Sequence, residues 1–299
     1  MHLGVDIGGT DIKFGVVNAE GRIVARAAVP TPKTSAEAVA DAVAAGVKQL
    51  SAAFPAETVG VGTPGIVTPD GRVSAANLPF ADTPLADLIA ARIGRTAALG
   101  NDANCAALGE AAAGGEDDLL LVTLGTGVGG GIVTGGKPVV GAHGGAGEIG
   151  HMCIHVGGRA CPCGKRGCFE QYASASALTE AAKAAAAAHP DSLLAAYAKD
   201  GMDGKVFFRA VADGCPAAAA VLDAYLTDLA AGLESLQSIF DPAVIVLAGG
   251  ITEAGDALLA PLMQKLGADF PLKLSSLRSD AGVIGAAALG REEAARHAD

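Results

Sequence analysis

Residues 144–174 read GGAGEIGHMCIHVGGRACPCGKRGCFEQYAS. Within this glycine-rich stretch His151 is followed by Cys161, Cys163 and Cys168, with the carboxylates Glu148 and Glu170 on either side. Three thiols and an imidazole form a closed set of four ligands, the usual complement of a structural zinc ion. Zinc suits the set because thiolate sulfur and imidazole nitrogen match its borderline softness, and because it accepts tetrahedral geometry at no electronic cost. Gly164 and Gly167 fall between the second and third thiols, where the chain must double back and positive φ is needed. The alternative is a disulfide or a few buried thiols. A disulfide leaves one of the three loop cysteines unpaired, and Cys161 and Cys163 are too close in sequence to bridge comfortably. The cysteines outside the ligand set, Cys105, Cys153 and Cys215, are expected to be buried thiols.

The chain has 299 residues, 51% hydrophobic and 18% charged, which suits a globular protein of about two domains. Lys+Arg number 21 against 32 Asp+Glu, a net charge of −11, so no electrostatic footprint for a nucleic-acid backbone is present. No run approaches the ~20 apolar residues of a membrane span. Met1 leads almost at once into a strand-like run, so no signal peptide is expected. These features predict a cytoplasmic protein without nucleic-acid or membrane partners.

Patterning predicts alternating α and β elements. Strands are expected at His2–Asp6, Ile12–Asn18 and Val24–Val29, and a helix from Ala36 to Phe54 behind a Ser35 cap. A second strongly apolar strand, Leu119–Leu124, is expected to break over Gly125–Gly131 and to resume at Ile132. The order strand, glycine turn, strand thus occurs twice, which suggests an internal duplication. A polar break near Glu116 marks the second half, and the closing helix from Gly282 is free to return to the first.

Neither glycine turn is a P-loop, because no Gly-x4-Gly-Lys-Ser/Thr occurs, and neither is a dinucleotide fingerprint, because a strand rather than a helix follows each. Asp6-x-Gly8-Gly9-Thr10-x-x-Lys13 and Gly125-Thr126-Gly127-x-Gly129-Gly130-Gly131 suit two hairpins that grip phosphates across a cleft through backbone N–H groups. A tight hairpin wants glycine in any case. The pair gains weight from Gly249-Gly250 after a third strand. Asn101-Asp102 sits at a strand-to-helix junction. Taken alone it reads first as a helix N-cap, while the carboxyl edge of a sheet is also where α/β proteins place ligands.

Seven segments together resemble the ROK family of bacterial sugar kinases and repressors. They are DIGGTDIK (6–13), GTPG (62–65), GNDAN (100–104), GTGVGGG (125–131), EIGHM (148–152), CPCGKRGCFEQYAS (161–174) and LAGGI (247–251). The resemblance implies an α/β fold of the two-lobed actin-like ATPase (ribonuclease H-like) type, with a nucleotide and sugar cleft between the lobes and a zinc-binding loop. It places the small lobe at residues 1–113 plus 284–299 and the large lobe at 114–283. It implies ATP-dependent phosphorylation of a hexose, foremost glucose to glucose 6-phosphate, with Asp102 as the base. Asn77, Asn101, Asp102, Glu148, His151 and Glu170 would hold the sugar. Asp6, Gly8, Gly9, Thr10, Lys13, Gly125, Thr126, Gly127, Gly249 and Gly250 would hold ATP and its Mg²⁺. His151, Cys161, Cys163 and Cys168 would hold structural Zn²⁺, leaving the other ring nitrogen of His151 to a sugar hydroxyl. A homodimer is implied by the same analogy.

The alternatives within the resemblance are kinases of fructose, mannose, N-acetylmannosamine, N-acetylglucosamine or allose, polyphosphate as donor, and a sugar-responsive repressor. A repressor of this family carries a helix-turn-helix ahead of the kinase-like fold, and here the first phosphate motif begins at Asp6. After Asn77 the chain reads Leu-Pro-Phe-Ala-Asp, which departs from the Asn-Leu-Pro-Gly-Trp associated with many glucokinases of the family.

Overall fold

The computed structural model describes residues 1–296. The last three positions of the expected small lobe, 297–299, lie outside the described residues.

The chain opens with β1 (His2–Ile7), β2 (Asp11–Val17) and β3 (Ile23–Pro30), followed by α1 (Ala36–Ala53) and β4 (Thr58–Thr63). Three short strands come next, β5 (Ile66–Val67), β6 (Val73–Ala75) and β7 (Phe80–Thr83), and then α2 (Leu85–Ile93), β8 (Ala98–Asn101) and α3 (Asp102–Gly114). The second half runs β9 (Leu119–Leu124), β10 (Val128–Thr134), β11 (Lys137–Pro138), α4 (Glu170–Ala173), α5 (Ala175–Ala188), α6 (Leu193–Tyr197), α7 (Gly204–Ala212) and α8 (Pro216–Phe240). It ends with β12 (Val244–Ala248), α9 (Asp256–Leu266), β13 (Leu272–Leu274) and α10 (Ala281–Arg296).

Two five-stranded sheets result, ordered β3-β2-β1-β4-β8 and β11-β10-β9-β12-β13. In both, the third, second and first strands of a meander are followed by two later strands. The repeated order is the structural form of the duplication suggested by the two glycine hairpins. β1 pairs antiparallel with β2, setting Asp6 opposite Lys13, and parallel with β4. β3 is an edge strand and alternates between half-buried and exposed residues, as an edge covered on one face should. β5, β6 and β7 form a separate three-stranded sheet that patterning did not predict.

The chain divides into two compact units. Among the described residues the first comprises 1–121, 131–147 and 276–296; the second comprises 122–130 and 148–275. In the first, β-branched and aliphatic residues of β1, β2 and β4 pack with one face of α1, including Val39, Val43, Val47 and Leu50. Each such side chain contributes roughly 1.5–3 kcal/mol when fully buried. Ser35 caps α1 by accepting the Ala38 N–H at 3.2 Å. α10 lies close on the same sheet because small residues face one another. A Cβ on Gly60 would stand 1.8 Å from Ala286 O, and one on Gly285 would stand 1.5 Å from Cys105 O in α3. In the second unit α8 is the long central helix. A Cβ on its Gly232 would meet the ring of the fully buried Phe169, and Tyr225 donates to Ala173 O at 2.7 Å. These contacts fix α4, and with it Glu170.

β10 begins at Val128 rather than at Ile132. Gly129, Gly130 and Gly131 are therefore strand residues, and the turn is confined to Gly125–Gly127. The reason lies in packing: a Cβ on Gly131 would stand 2.4 Å from Ala103 O of α3, so only glycine lets that helix cover the strand.

Candidate active site

In the first unit the carboxyl ends of β1, β4 and β8 carry Asp6, Thr63 and Asn101. Asn101 is the N-cap of α3. Its Oδ1 accepts the Ala103 and Asn104 N–H groups at 2.9 and 3.1 Å, and its Nδ2 donates to Gly65 O at 3.0 Å. The capping role is thus real, yet the amide still carries a second hydrogen for a ligand. Asp102 is the first residue of α3, and its Oδ1 accepts the Ala103 N–H at 2.9 Å. Burial raises the Asp102 carboxyl above the ordinary range, against the lowering effect of its backbone hydrogen bonds. Burial likewise pushes Asp6 up to about 6, with the charge of Asp102 adding to the rise and Lys13 opposing it. Asp6 thus feels the charge of Asp102 as well as that of Lys13.

The turn between β1 and β2 is built from Gly8, Gly9 and Thr10, with the Gly8 N–H donating to Asp11 O at 2.9 Å. Two residues that motif reading missed hold it. Thr31 Oγ1 donates to Gly8 O at 2.7 Å, and Lys33 donates to Gly9 O. With these carbonyls held from behind and the Gly8 N–H closing the turn, the N–H groups of Gly9 and Thr10 are the ones left to face a phosphate. Asn77 is exposed and stands over Gly9: a Cβ there would be 3.7 Å from Asn77 Nδ2. Gly282 was also missed. It lies in the first turn of α10, and a Cβ on it would stand 2.9 Å from Asp6 Cγ.

In the second unit the β9–β10 turn closes through Gly125 N–H to Gly127 O at 3.0 Å. The Ala175 N–H of α5 donates to Gly125 O at 3.0 Å, and Ser174 caps the helix. Gly249, with φ of +103°, fits against Leu124: a Cβ would stand 2.2 Å from Leu124 O. Gly250 follows it in a short 3₁₀ turn. The same unit carries Glu148, His151 and Glu170. A Cβ on Gly127 would stand 2.5 Å from Glu170 Oε2, so the Glu170 carboxylate rests against the glycine hairpin.

The ligand atoms of His151, Cys161, Cys163 and Cys168 all lie within 4.8 Å of one another. Cys163 Sγ and Cys168 Sγ are 3.6 Å apart, and Cys161 Sγ is 3.7 Å from His151 Nδ1. A tetrahedral zinc with its usual bond lengths needs edges of about 3.8 Å between sulfurs and about 3.6 Å between sulfur and nitrogen. The donor set and its spacing fit zinc, with Nδ1 as the ligand nitrogen. His151 Nε2 then carries the proton and faces Glu148 Oε2 at 3.9 Å. That gap is too long for a direct hydrogen bond and suits a hydroxyl placed to meet both groups. Glu170 Oε1 lies 3.7 Å from His151 Nδ1 and 3.3 Å from Gln171 Nε2. Among the other cysteines, Cys105 and Cys215 are buried as expected, but Cys153 is exposed, because its loop lies at the surface with Val156 fully in solvent.

A model of the ROK family matches residues 2–293. The glucokinase of Streptomyces coelicolor is 38% identical over 315 aligned residues, 98% of each chain. The N-acetyl-D-glucosamine kinase of Salmonella paratyphi B is 35% identical over 84% of each chain. The crystal structure of a ROK family glucokinase from Streptomyces griseus in complex with glucose and AMPPNP superposes with a TM-score of 0.81 at 37% identity, covering 97% of this chain and 99% of that one.

Proposed function

The chain belongs to the ROK family and has the actin-like ATPase fold, and from that premise we propose that it is an ATP-dependent hexose kinase whose foremost substrate is glucose. The observation that carries the reading is the 38% identity to a glucokinase along 98% of both chains. The likeness to a glucokinase bound to glucose and AMPPNP supports it.

Phosphoryl transfer to a sugar needs little covalent chemistry from the protein. It needs positioning, charge neutralisation and a base at the attacking oxygen. Asp102 is the base in this reading. Burial makes its carboxylate a better proton acceptor than a solvated one, and the bond from Ala103 N–H fixes its tilt. The proton of the sugar hydroxyl passes to Asp102 as that oxygen attacks the γ-phosphorus.

The phosphates fall to Gly8, Gly9, Thr10 and Lys13 in the first unit and to Gly125, Thr126 and Gly127 in the second. The adenosine falls to Gly249 and Gly250. Asp6, raised by burial and by its neighbour Asp102, is short of positive charge, which fits a site for nucleotide-bound Mg²⁺. Held near Asp6, Mg²⁺ would supply neutralisation of the phosphate charge. Asn77, the second amide hydrogen of Asn101, Glu148, His151 Nε2 and Glu170 bind the sugar hydroxyls. Zinc held by His151, Cys161, Cys163 and Cys168 would supply structure only, since these residues form a closed set of four ligands; His151 would then be held in one tautomer and one orientation.

A second reading is an amino-sugar kinase. It is favoured by the 35% identity to an N-acetyl-D-glucosamine kinase and by the loop after Asn77. There Phe80 is buried and begins β7, so the aromatic residue of this loop serves the core. The reading also includes a homodimer in the cytoplasm with no nucleic-acid or membrane partner. Among the described residues no helix is long and apolar enough to cross a membrane, and light scattering checks the dimer.

Steady-state kinetics over hexoses and amino sugars, with ATP and with polyphosphate, test the assignment. Glucose with ATP is expected to give the highest kcat/KM. A tenfold preference for an amino sugar would replace the first reading by the second, and no turnover of any sugar would sink both.

A further inference from the structure

Cys153 stands outside the four-ligand set and is exposed. Its backbone is nonetheless paired. Cys153 and Cys168 face each other as an isolated antiparallel bridge. The flanking bonds run from Phe169 N–H to Met152 O at 2.8 Å and from Ile154 N–H to Gly167 O at 2.9 Å. They bracket the two cysteines, which makes them a non-hydrogen-bonded antiparallel pair. In such a pair the Cα atoms lie about 4.5 Å apart and the side chains leave the same face. Disulfides span Cα separations of about 4.4–6.8 Å, so the backbone already meets their requirement. The crossing is also held in place. Gly167, with φ of +79°, fits beneath His155 O, and a Cβ on it would stand 3.2 Å from Cys153 Sγ.

We propose that Cys153 is an oxidation site whose partner is Cys168, so that a peroxide joins the two sulfurs and removes one ligand from the zinc set. The proposal rests on the zinc reading of His151, Cys161, Cys163 and Cys168. Cys153 is exposed whereas Cys168 is fully buried, so of these two the oxidant meets Cys153 first; Cys163 is exposed as well. Its thiol takes one oxygen atom from hydrogen peroxide to give a sulfenic acid, and the O–O bond breaks with release of water. The Cys168 thiolate then attacks the Cys153 sulfur. The S–S bond forms, the S–O bond breaks, and hydroxide leaves and is protonated by solvent. The two sulfurs have lost two electrons and the peroxide has gained two. The ion is left with Cys161, Cys163 and His151, and His151 with a weakened anchor.

A rival outcome is on the page as well. Cys163 Sγ lies 3.6 Å from Cys168 Sγ, so oxidation within the ligand set is the alternative chemistry. The experiment uses the full-length protein, with zinc content measured first by mass spectrometry. Hydrogen peroxide is added in the presence of a chromogenic zinc chelator, and the products are mapped as peptides without reduction. Wild type is expected to release its zinc as a Cys153–Cys168 linked peptide appears, and dithiothreitol with zinc should reverse both. Cys153→Ser should slow release by roughly tenfold, as should Cys153→Ala, which guards against an effect of the new hydroxyl. Release from both variants at the wild-type rate, or a map that shows only Cys163–Cys168 or sulfinic acid, overturns the proposal. Protein that carries no zinc at the outset defeats the zinc reading instead, and the peptide map still decides whether Cys153 and Cys168 pair.

Discussion

At the end of the first sheet Asp6 and Asp102 are both half-buried, and desolvation together with the charge of Asp102 lifts Asp6 to about 6 against the opposing charge of Lys13. In the second unit three thiols and His151 Nδ1 converge at separations that one tetrahedral cation satisfies. Both regions concentrate groups that carry negative charge when ionised. One is left short of positive charge; the other has the complete ligand set of a resident ion. The difference separates two kinds of work. An undercompensated pair is ready for cations and protons that come and go with each turnover, whereas a closed ligand set is suited to holding a side chain still. In the proposed reading the base, Asp102, lies in the first region, and the second holds His151 still for the sugar.

The largest effect that could break this division is at the base. Asp102→Asn should lower kcat by about 10²–10⁴ while the sugar dissociation constant changes less than about threefold, as read by stopped assays and calorimetry. Near-normal turnover would remove Asp102 from the chemistry. Next comes the metal loop. Cys161→Ala, or chelation of zinc, should weaken sugar binding by about 10–100-fold, and unchanged affinity would detach the loop from recognition. A subtler probe is Gly127, which belongs to a phosphate hairpin by motif but touches Glu170 Oε2 by position. Gly127→Ala should raise KM for the sugar more than KM for ATP, and Glu170→Asp in the same chain should recover part of the loss by withdrawing the carboxylate. A selective rise in KM for ATP would return Gly127 to the nucleotide alone.

The smallest effect concerns stability and carries a definite sign. Asp6 binds its proton more tightly folded, at about 6, than at its ordinary value of 3.8. Folding stability therefore falls as pH rises between those values and stays lowered above them. Asp6→Asn removes that loss. It should stabilise the nucleotide-free protein by about 1–3 kcal/mol at pH 7 and by little near pH 4, as measured by urea unfolding at both. Destabilisation at neutral pH would show that the pair is better compensated than its surroundings suggest.

Much of this contrast was legible in the residues themselves. The ligand set declared itself through residue type and tight spacing, and the doubled glycine hairpin anticipated the doubled sheet order. What escaped was set by contacts distant in sequence. Thr31 and Lys33 support the first turn from the far end of β3, and Gly282 meets Asp6 across the whole first unit; no local pattern marks them. Gly129–Gly131 read as turn because glycine is a poor strand former, yet α3 requires a bare strand there. β5, β6 and β7 were missed because two to four residues are too few for alternation to show. Cys153 read as a buried thiol because cysteine usually is one; its exposure follows from the surface course of residues 153–158.

The division of labour is tested most directly by titrating the sugar calorimetrically into zinc-loaded Asp102→Asn protein, before and after the metal is chelated. The expected result is a dissociation constant within about threefold of wild type while zinc is present, and at least about tenfold weaker once it is gone. Binding that is already lost in the zinc-loaded variant, or that survives removal of the metal, would contradict it.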